Sequence, residues 1–291
     1  MIEPVKGVRY NGAMVLLLLS LLQFVNPGFE FLLAPEVALE PTPATQGLSA
    51  VVGNPAGLWT PGTGILFSYH RYPLEGYRSL AALKTGPWGL GVDYVNFGAL
   101  EYQDDTPNDQ GGLSFTPFAL RAQVGRALRL DPELQGGLAL AYVYQRIYDR
   151  EYRAVLVSGG LIYTPQRFPW VRLGLAFENL GTRVQVRPQE YLDPPLRVSA
   201  SVDMERGVWS LSVLGRYTRG YEGGWSEGGG FLGWKVHPWV FLRVGYVYGN
   251  DLFPLRMDLK VHREHLALRL GWVPSGAGMG QMYRVALELT P

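Results

Sequence analysis

His70, His237, His262 and His265 are the chain's four histidines. His262 and His265 bracket Arg263-Glu264, a spacing that puts two ligands on one side of a helix. At a strand-to-strand turn it carries no such meaning, and the reading there is a polar turn rather than a metal site. Ser68 and His70 share one face of an expected strand. A serine nucleophile needs a base that a third group orients, and the sequence fixes no such group. Gly223-Gly224 and Gly228-Gly229-Gly230 lack the strand–loop–helix setting and the lysine that cradle phosphate, so they read as turns or bulges between strands. Cysteine is absent, which removes disulfides, thiolate metal sites and cysteine nucleophiles. Catalytic residues, a cofactor and a metal are therefore not expected.

The remaining reactive residues are charges, and their meaning depends on the elements that carry them. From Ile65 onward apolar residues recur with a period of two. Leu255, Met257, Leu259 and Val261 alternate with Arg256, Asp258, Lys260 and His262; Val171, Leu173, Leu175 and Phe177 alternate with Arg172, Gly174, Ala176 and Glu178. Segments of this kind recur over 65–72, 77–86, 88–98, 113–127, 134–149, 152–165, 171–181, 194–205, 209–220, 226–238, 240–249, 254–262, 265–274 and 281–290. Most are long enough for a tilted membrane strand of about 9–11 residues. Turn clusters such as Asp131-Pro132 and Asp193-Pro194-Pro195 separate them.

A soluble sandwich also alternates, with its apolar face inward, so the make-up of the two faces decides. The apolar face is bulky and nearly uncharged. The other mixes Gly, Ala and Ser with Asp93, Arg121, Arg172, Glu178, Arg197, Asp203, Arg216, Arg243, Asp258, Arg269 and Glu288. Small and charged residues together suit a crowded, hydrated lumen. Aromatics sit near segment ends (Tyr69, Tyr72, Trp88, Tyr144, Tyr148, Tyr246, Tyr248, Trp272, Tyr283), where membrane barrels carry interfacial girdles. Lipid admits β-structure only as a closed barrel. The expected fold is thus an all-β, closed antiparallel transmembrane barrel of about fourteen strands. Its luminal charges read either as a neutralised network that closes the barrel or as a polar pathway. A soluble secreted all-β domain is the rival.

Composition agrees. Gly (37) plus Pro (21) and 13% aromatics against 18% charged residues exclude a disordered chain. A net charge of +1 gives no electrostatic case for nucleic acid. Residues 14–22, Met-Val-Leu-Leu-Leu-Leu-Ser-Leu-Leu, follow Lys6 and Arg9. This apolar run is too short to span a bilayer and reads as the core of a secretory signal peptide. The expected division is a signal peptide over 1–34, a linking segment over 35–63 and a barrel over 64–291.

Asn54-Pro55-Ala56-Gly57-Leu58, just ahead of the first strand, resembles the N-P-A-G-L motif of the FadL/PorV superfamily of outer-membrane barrels. Residues 88–98, Phe177-Glu178-Asn179-Leu180-Gly181 with its strand-ending Asn179-Leu180-Gly181, Pro195-Leu196-Arg197-Val198 and Leu242-Arg243-Val244-Gly245-Tyr246 are similar, in the same order, to stretches of the PorV/PorQ branch. The resemblance covers about residues 40–291. It implies fourteen strands, an outer-membrane location in contact with lipid, and an N-terminal segment over 35–63 folded into the lumen as a hatch. Asn before Pro favours extended or turn geometry and Gly57 permits a tight bend, so a plain turn into the first strand is the alternative. Two departures stand out: Pro41-Thr42-Pro43-Ala44-Thr45 replaces a small-residue stretch, and the chain ends Leu289-Thr290-Pro291 rather than on an aromatic residue. Two functions are implied. One is an envelope component in protein export or surface attachment, with secretion-system proteins as partners. The other is FadL-like transport or binding of a hydrophobic small molecule. The acidic, aromatic connection over 99–112 is a candidate gate or partner surface.

Overall fold

In the computed structural model, residues 42–72, 76–102, 113–147, 150–187, 190–220, 223–250, 254–274 and 280–290 are described. The signal-peptide expectation, Tyr148 and most of the 99–112 connection lie outside them.

Alternating apolar residues build strands because successive side chains point to opposite faces. Eighteen strands form among the described residues: β1 (Thr63–Arg71), β2 (Tyr77–Thr85), β3 (Trp88–Asn96), β4 (Leu100–Tyr102), β5 (Leu113–Phe115), β6 (Phe118–Arg129), β7 (Leu134–Ile147), β8 (Arg150–Tyr163), β9 (Val171–Gly181), β10 (Val184–Arg187), β11 (Glu190–Leu192), β12 (Leu196–Arg206), β13 (Trp209–Arg219), β14 (Gly224–His237), β15 (Val240–Tyr248), β16 (Leu255–Arg263), β17 (Leu266–Pro274) and β18 (Gln281–Leu289). Fourteen close into one antiparallel barrel in the order β1-β18-β17-β16-β15-β14-β13-β12-β9-β8-β7-β6-β3-β2. The seam joins β1 to β18 from Ile65↔Leu289 to Arg71↔Tyr283. Closure leaves no unpaired sheet edge for lipid to solvate. The pairs β4–β5 and β10–β11 are small hairpins within the connections 97–117 and 182–195.

The faces fall as alternation requires. Leu90, Leu138, Leu140, Leu175, Leu232 and Val285 are exposed on the outside, whereas Asp93, Arg121, Arg197, Asp203, Arg216, Asp258 and Glu288 are buried on the inside. That arrangement is inverted relative to a soluble core and excludes the sandwich. The two rims also differ. One carries tight turns at 86–87, 130–133, 207–208, 238–239 and 264–265; the other carries the connections with the small hairpins.

Three sequence expectations need correction. Gly228–Gly230 lie inside β14, paired with Val213, Leu214 and Gly215 of β13, not between strands. Tyr72 is no girdle residue: it is buried and stacks on His70 at 6.3 Å. The inner face is not uniformly polar, because Leu66, Val95, Val143, Leu156, Ile162 and Met282 are fully buried on it.

Candidate functional site

The N-terminal segment lies against the inner wall near the short-turn rim. It makes two 3-10 turns, Leu48–Val51 and Pro55–Leu58. Asn54 caps the second. Its Oδ1 accepts from Ala56 N at 3.0 Å, and Pro55 occupies the first helical position, where a missing N–H costs nothing. The Asn54 Nδ2 donates to Pro43 O (2.7 Å), Leu161 O (3.1 Å) and Leu175 O (3.2 Å). One buried amide thereby ties the turn to β8 and β9.

The wall is cut to receive this segment. Five neighbouring strands, β3, β6, β7, β8 and β9, each present a glycine here. A Cβ at Gly137 would overlap Ala56 N, one at Gly160 would overlap Asn54 Oδ1, and one at Gly174 would overlap Ala44 N. Leu58 fills the space over the other two, 2.9 Å from a Cβ built at Gly89 and 3.3 Å from one at Gly125. Gly57 itself has no room for a side chain beside Thr45 O. Further contacts extend the seat: Thr42 Oγ1 donates to Asp203 Oδ2 at 2.6 Å, Ala44 N donates to Ser201 Oγ at 3.1 Å, and Gln123 Nε2 donates to Val51 O. Leu48, Ala50, Val51 and Leu58 pack with Leu66, Leu80, Ala82, Ala127 and Ala286 of the wall.

Opposite the segment, a cavity of about 310 Å³ opens among Lys235, Phe241, Lys260, His262, Ala267 and Glu288. Its Glu288 accepts from Lys260 Nζ at 2.9 Å and lies 2.7 Å from Arg269 Nε.

Most other charges singled out in the sequence are paired across neighbouring strands. Arg78 Nε donates to both oxygens of Asp93, at 2.9 and 3.1 Å. Arg197 Nη1 donates to Glu178 Oε2 and Arg216 Nη1 to Glu227 Oε2, each at 2.9 Å. Arg172 pairs with Glu205 at 2.5 Å. Arg243 lies over the Phe231 ring at 4.4 Å and stands opposite Asp258 in register. Gly245 leaves space for that ring. Arg121 faces Asp93 in register. Pairing of this kind is what the neutralised-network reading expects of these residues. The partners Arg78, Glu205 and Glu227 went unnoticed in the sequence.

Toward the long-loop rim one sector of the luminal wall, on β3 and β6 to β8, is apolar, while the paired charges occupy the rest. Val95, Ala119, Ala141, Val143, Tyr152, Ala154 and Leu156 form one cluster, with Phe97 and Ile147 against it. Gln145 is fully buried beside it, and neither its Oε1 nor its Nε2 has a hydrogen-bond partner among the described residues. The Asn179-Leu180-Gly181 motif ends β9 on this side. Asn179 adopts a positive φ of 68°, and the β8–β9 register shifts between Val157 and Gly159. Asn179 N donates to Ser158 Oγ and its Nδ2 to Pro195 O, both at 3.2 Å. Leu180 points outward, and a Cβ at Gly181 would overlap Val155 O. The motif turns a strand corner.

His262 and His265 flank the β16–β17 turn, whose Glu264 has φ 51°. His265 Nδ1 lies 2.8 Å from Thr290 O. Among the described residues no group of three or more His, Asp or Glu side chains could hold a metal. Ser68 Oγ and His70 Nε2 do meet, at 2.8 Å. Arg284 Nε also donates to Ser68 Oγ, at 3.0 Å, so the serine sits between an imidazole and a guanidinium.

These features define a closed fourteen-strand barrel of the kind found in bacterial outer membranes. No family model and no curated protein matches the sequence. Solved structures share its fold. The Ralstonia pickettii toluene transporter TbuX superposes with a TM-score of 0.58 at 10% identity, covering 84% of this chain and 92% of its own. A Pseudomonas aeruginosa FadL homologue gives 0.57 at 9% identity, with 87% and 95% covered. The ΔS2S3 mutant of the TodX monoaromatic hydrocarbon channel gives 0.58 at 12%, with 87% and 97% covered. The likeness to these structures is one of fold.

Proposed function

We propose that this protein is an outer-membrane barrel that binds or passes small hydrophobic molecules, with the segment over 42–62 serving as its hatch. The observation that carries the reading is the apolar luminal cluster of Val95, Val143, Tyr152 and Leu156. It sits at the long-loop rim, which faces the outside in barrels of this type, and the hatch fills one side of the lumen beneath it. An apolar patch beside a few placed polar groups is the kind of surface a small hydrophobic molecule can pack against. Gln145 and Arg121 border the cluster across the β6–β7 ladder and are the polar groups that orient a bound molecule. The fold likeness to a toluene transporter and a monoaromatic hydrocarbon channel favours this reading over the export role that the PorV/PorQ-like motifs suggest.

The test is binding of toluene to the purified, folded protein. Saturable binding that is lost in Val143→Asp, with the heat-modifiable mobility of the barrel retained, is the expected result. Toluene uptake by the membrane or detergent alone, equal in both proteins, contradicts it.

A further inference from the structure

The outer surface carries two aromatic rims of different composition. At the long-loop rim the rings pack in a row: Tyr69 stacks on Tyr77 (5.7 Å), and Tyr77–Tyr94 (6.0 Å), Tyr94–Phe118 (6.0 Å) and Phe118–Tyr144 (5.9 Å) meet at a tilt. One arginine joins them. Arg153 lies 5.8 Å over Tyr144, and Glu151 neutralises it at 2.9 Å.

The short-turn rim is built from tryptophan and arginine. Trp88, Trp170, Trp209, Trp234 and Trp239 are exposed there. Four arginines lie over its rings: Arg126 over Trp88 (4.9 Å), Arg167 over Phe168 (5.7 Å), Arg206 over Trp170 (5.9 Å) and Arg263 over Trp239 (5.7 Å). None of the four is ion-paired with a described residue, in contrast to Arg153. The collar runs from β16 round to β3.

Indole rings settle at the membrane–water interface. A guanidinium laid on such a ring keeps its N–H groups free, and their planar fork matches the oxygens of a phosphate. Carboxylate-free cations at headgroup depth leave a charge that only the surroundings can neutralise. We propose that this collar is a binding site for the phosphates of anionic glycerophospholipids in the inner leaflet, which the short-turn rim faces. The four arginines hold the headgroups and the tryptophans line the first acyl carbons. The site is independent of what the lumen carries.

Five of the eight tryptophans belong to the collar, so intrinsic fluorescence reports on it. The folded protein is placed in phosphatidylcholine vesicles containing phosphatidylglycerol, with brominated chains on one lipid at a time. Quenching should give a preference for phosphatidylglycerol of about fivefold, the size expected for cations at an anionic interface. That preference should fall to about one in R126Q/R167Q/R206Q/R263Q and in molar salt, and stay unchanged in R153Q. Equal quenching by both lipids in the natural protein overturns the proposal, as does an undiminished preference in the fourfold variant. If that variant does not insert, R126Q and R263Q, half a turn apart on the barrel, each lower the preference alone. An undiminished preference in both is equally fatal.

Discussion

The two sides of the lumen at the short-turn rim solve the same packing problem in opposite ways. On β3 and β6 to β9 the inward positions are Gly89, Gly125, Gly137, Gly160 and Gly174, and chain from the N-terminal segment fills the space. On β14 to β18 the positions at that rim are Lys235, Phe241, Lys260 and Glu288, and a cavity remains. A glycine facing the lumen admits the N-terminal segment; a long charged side chain keeps it away. The distribution of side-chain volume around one rim therefore decides where the lumen is closed.

The contrast can be broken from either side. The largest effect is expected on the open side. Glu288→Gln leaves Lys260 and Arg269 facing each other without their shared carboxylate, and loss of one member of a buried ionic group typically costs about 3–5 kcal/mol. Chemical denaturation of the folded barrel should show it. Next comes Gly137→Val, whose side chain collides with the Ala56 backbone. Overpacking of this kind costs about 1–3 kcal/mol. Because the segment can leave the wall, the expected signature is new protease cleavage within 42–62 while the strands stay resistant.

Asn54→Ala should be milder, at about 1–2 kcal/mol for a lost cap, read as faster amide exchange at Ala56 and Gly57. Asn54→Asp separates the two roles of that side chain. Its oxygen still accepts from Ala56 N, but the donors to Leu161 and Leu175 become a carboxylate against carbonyl oxygens, so it should exchange faster still than the alanine variant. The smallest effect belongs to Lys235→Gln, an exposed cation with no ion-pair partner among the described residues, expected to change stability by less than about 0.5 kcal/mol.

Most barrel strands were legible in the sequence because their two faces meet different surroundings, which imposes alternation. Leu255 to His262 and Val171 to Glu178 read directly as β16 and β9. β2 carried a weaker signal, with Leu80 and Ala82 inward and Ala81 outward, and the luminal Arg78 was missed there. Glu227 was hidden by the glycines around it, which looked like a turn. The seat of the N-terminal segment was illegible for a different reason. Gly137, Gly160 and Gly174 touch residues 81 to 130 positions away, and no local pattern distinguishes a glycine that receives a distant backbone from one in a loose strand. The N-P-A-G-L stretch lies in the segment that touches these glycines, and its own geometry is local: cap, proline, and a residue with no side chain.

The central claim is that residues 42–58 occupy the lumen against the β7–β9 and β12 wall. The natural chain has no cysteine, so Ala44→Cys with Ser201→Cys forms a clean pair at a position where the segment's Ala44 N meets Ser201 Oγ at 3.1 Å. Mild oxidation of the folded barrel should cross-link the two quantitatively and make the segment resistant to protease. If the pair stays reduced, and Cys at 44 reacts with a bulky maleimide as fast as in the unfolded chain, the segment is not seated there and the hatch is wrong.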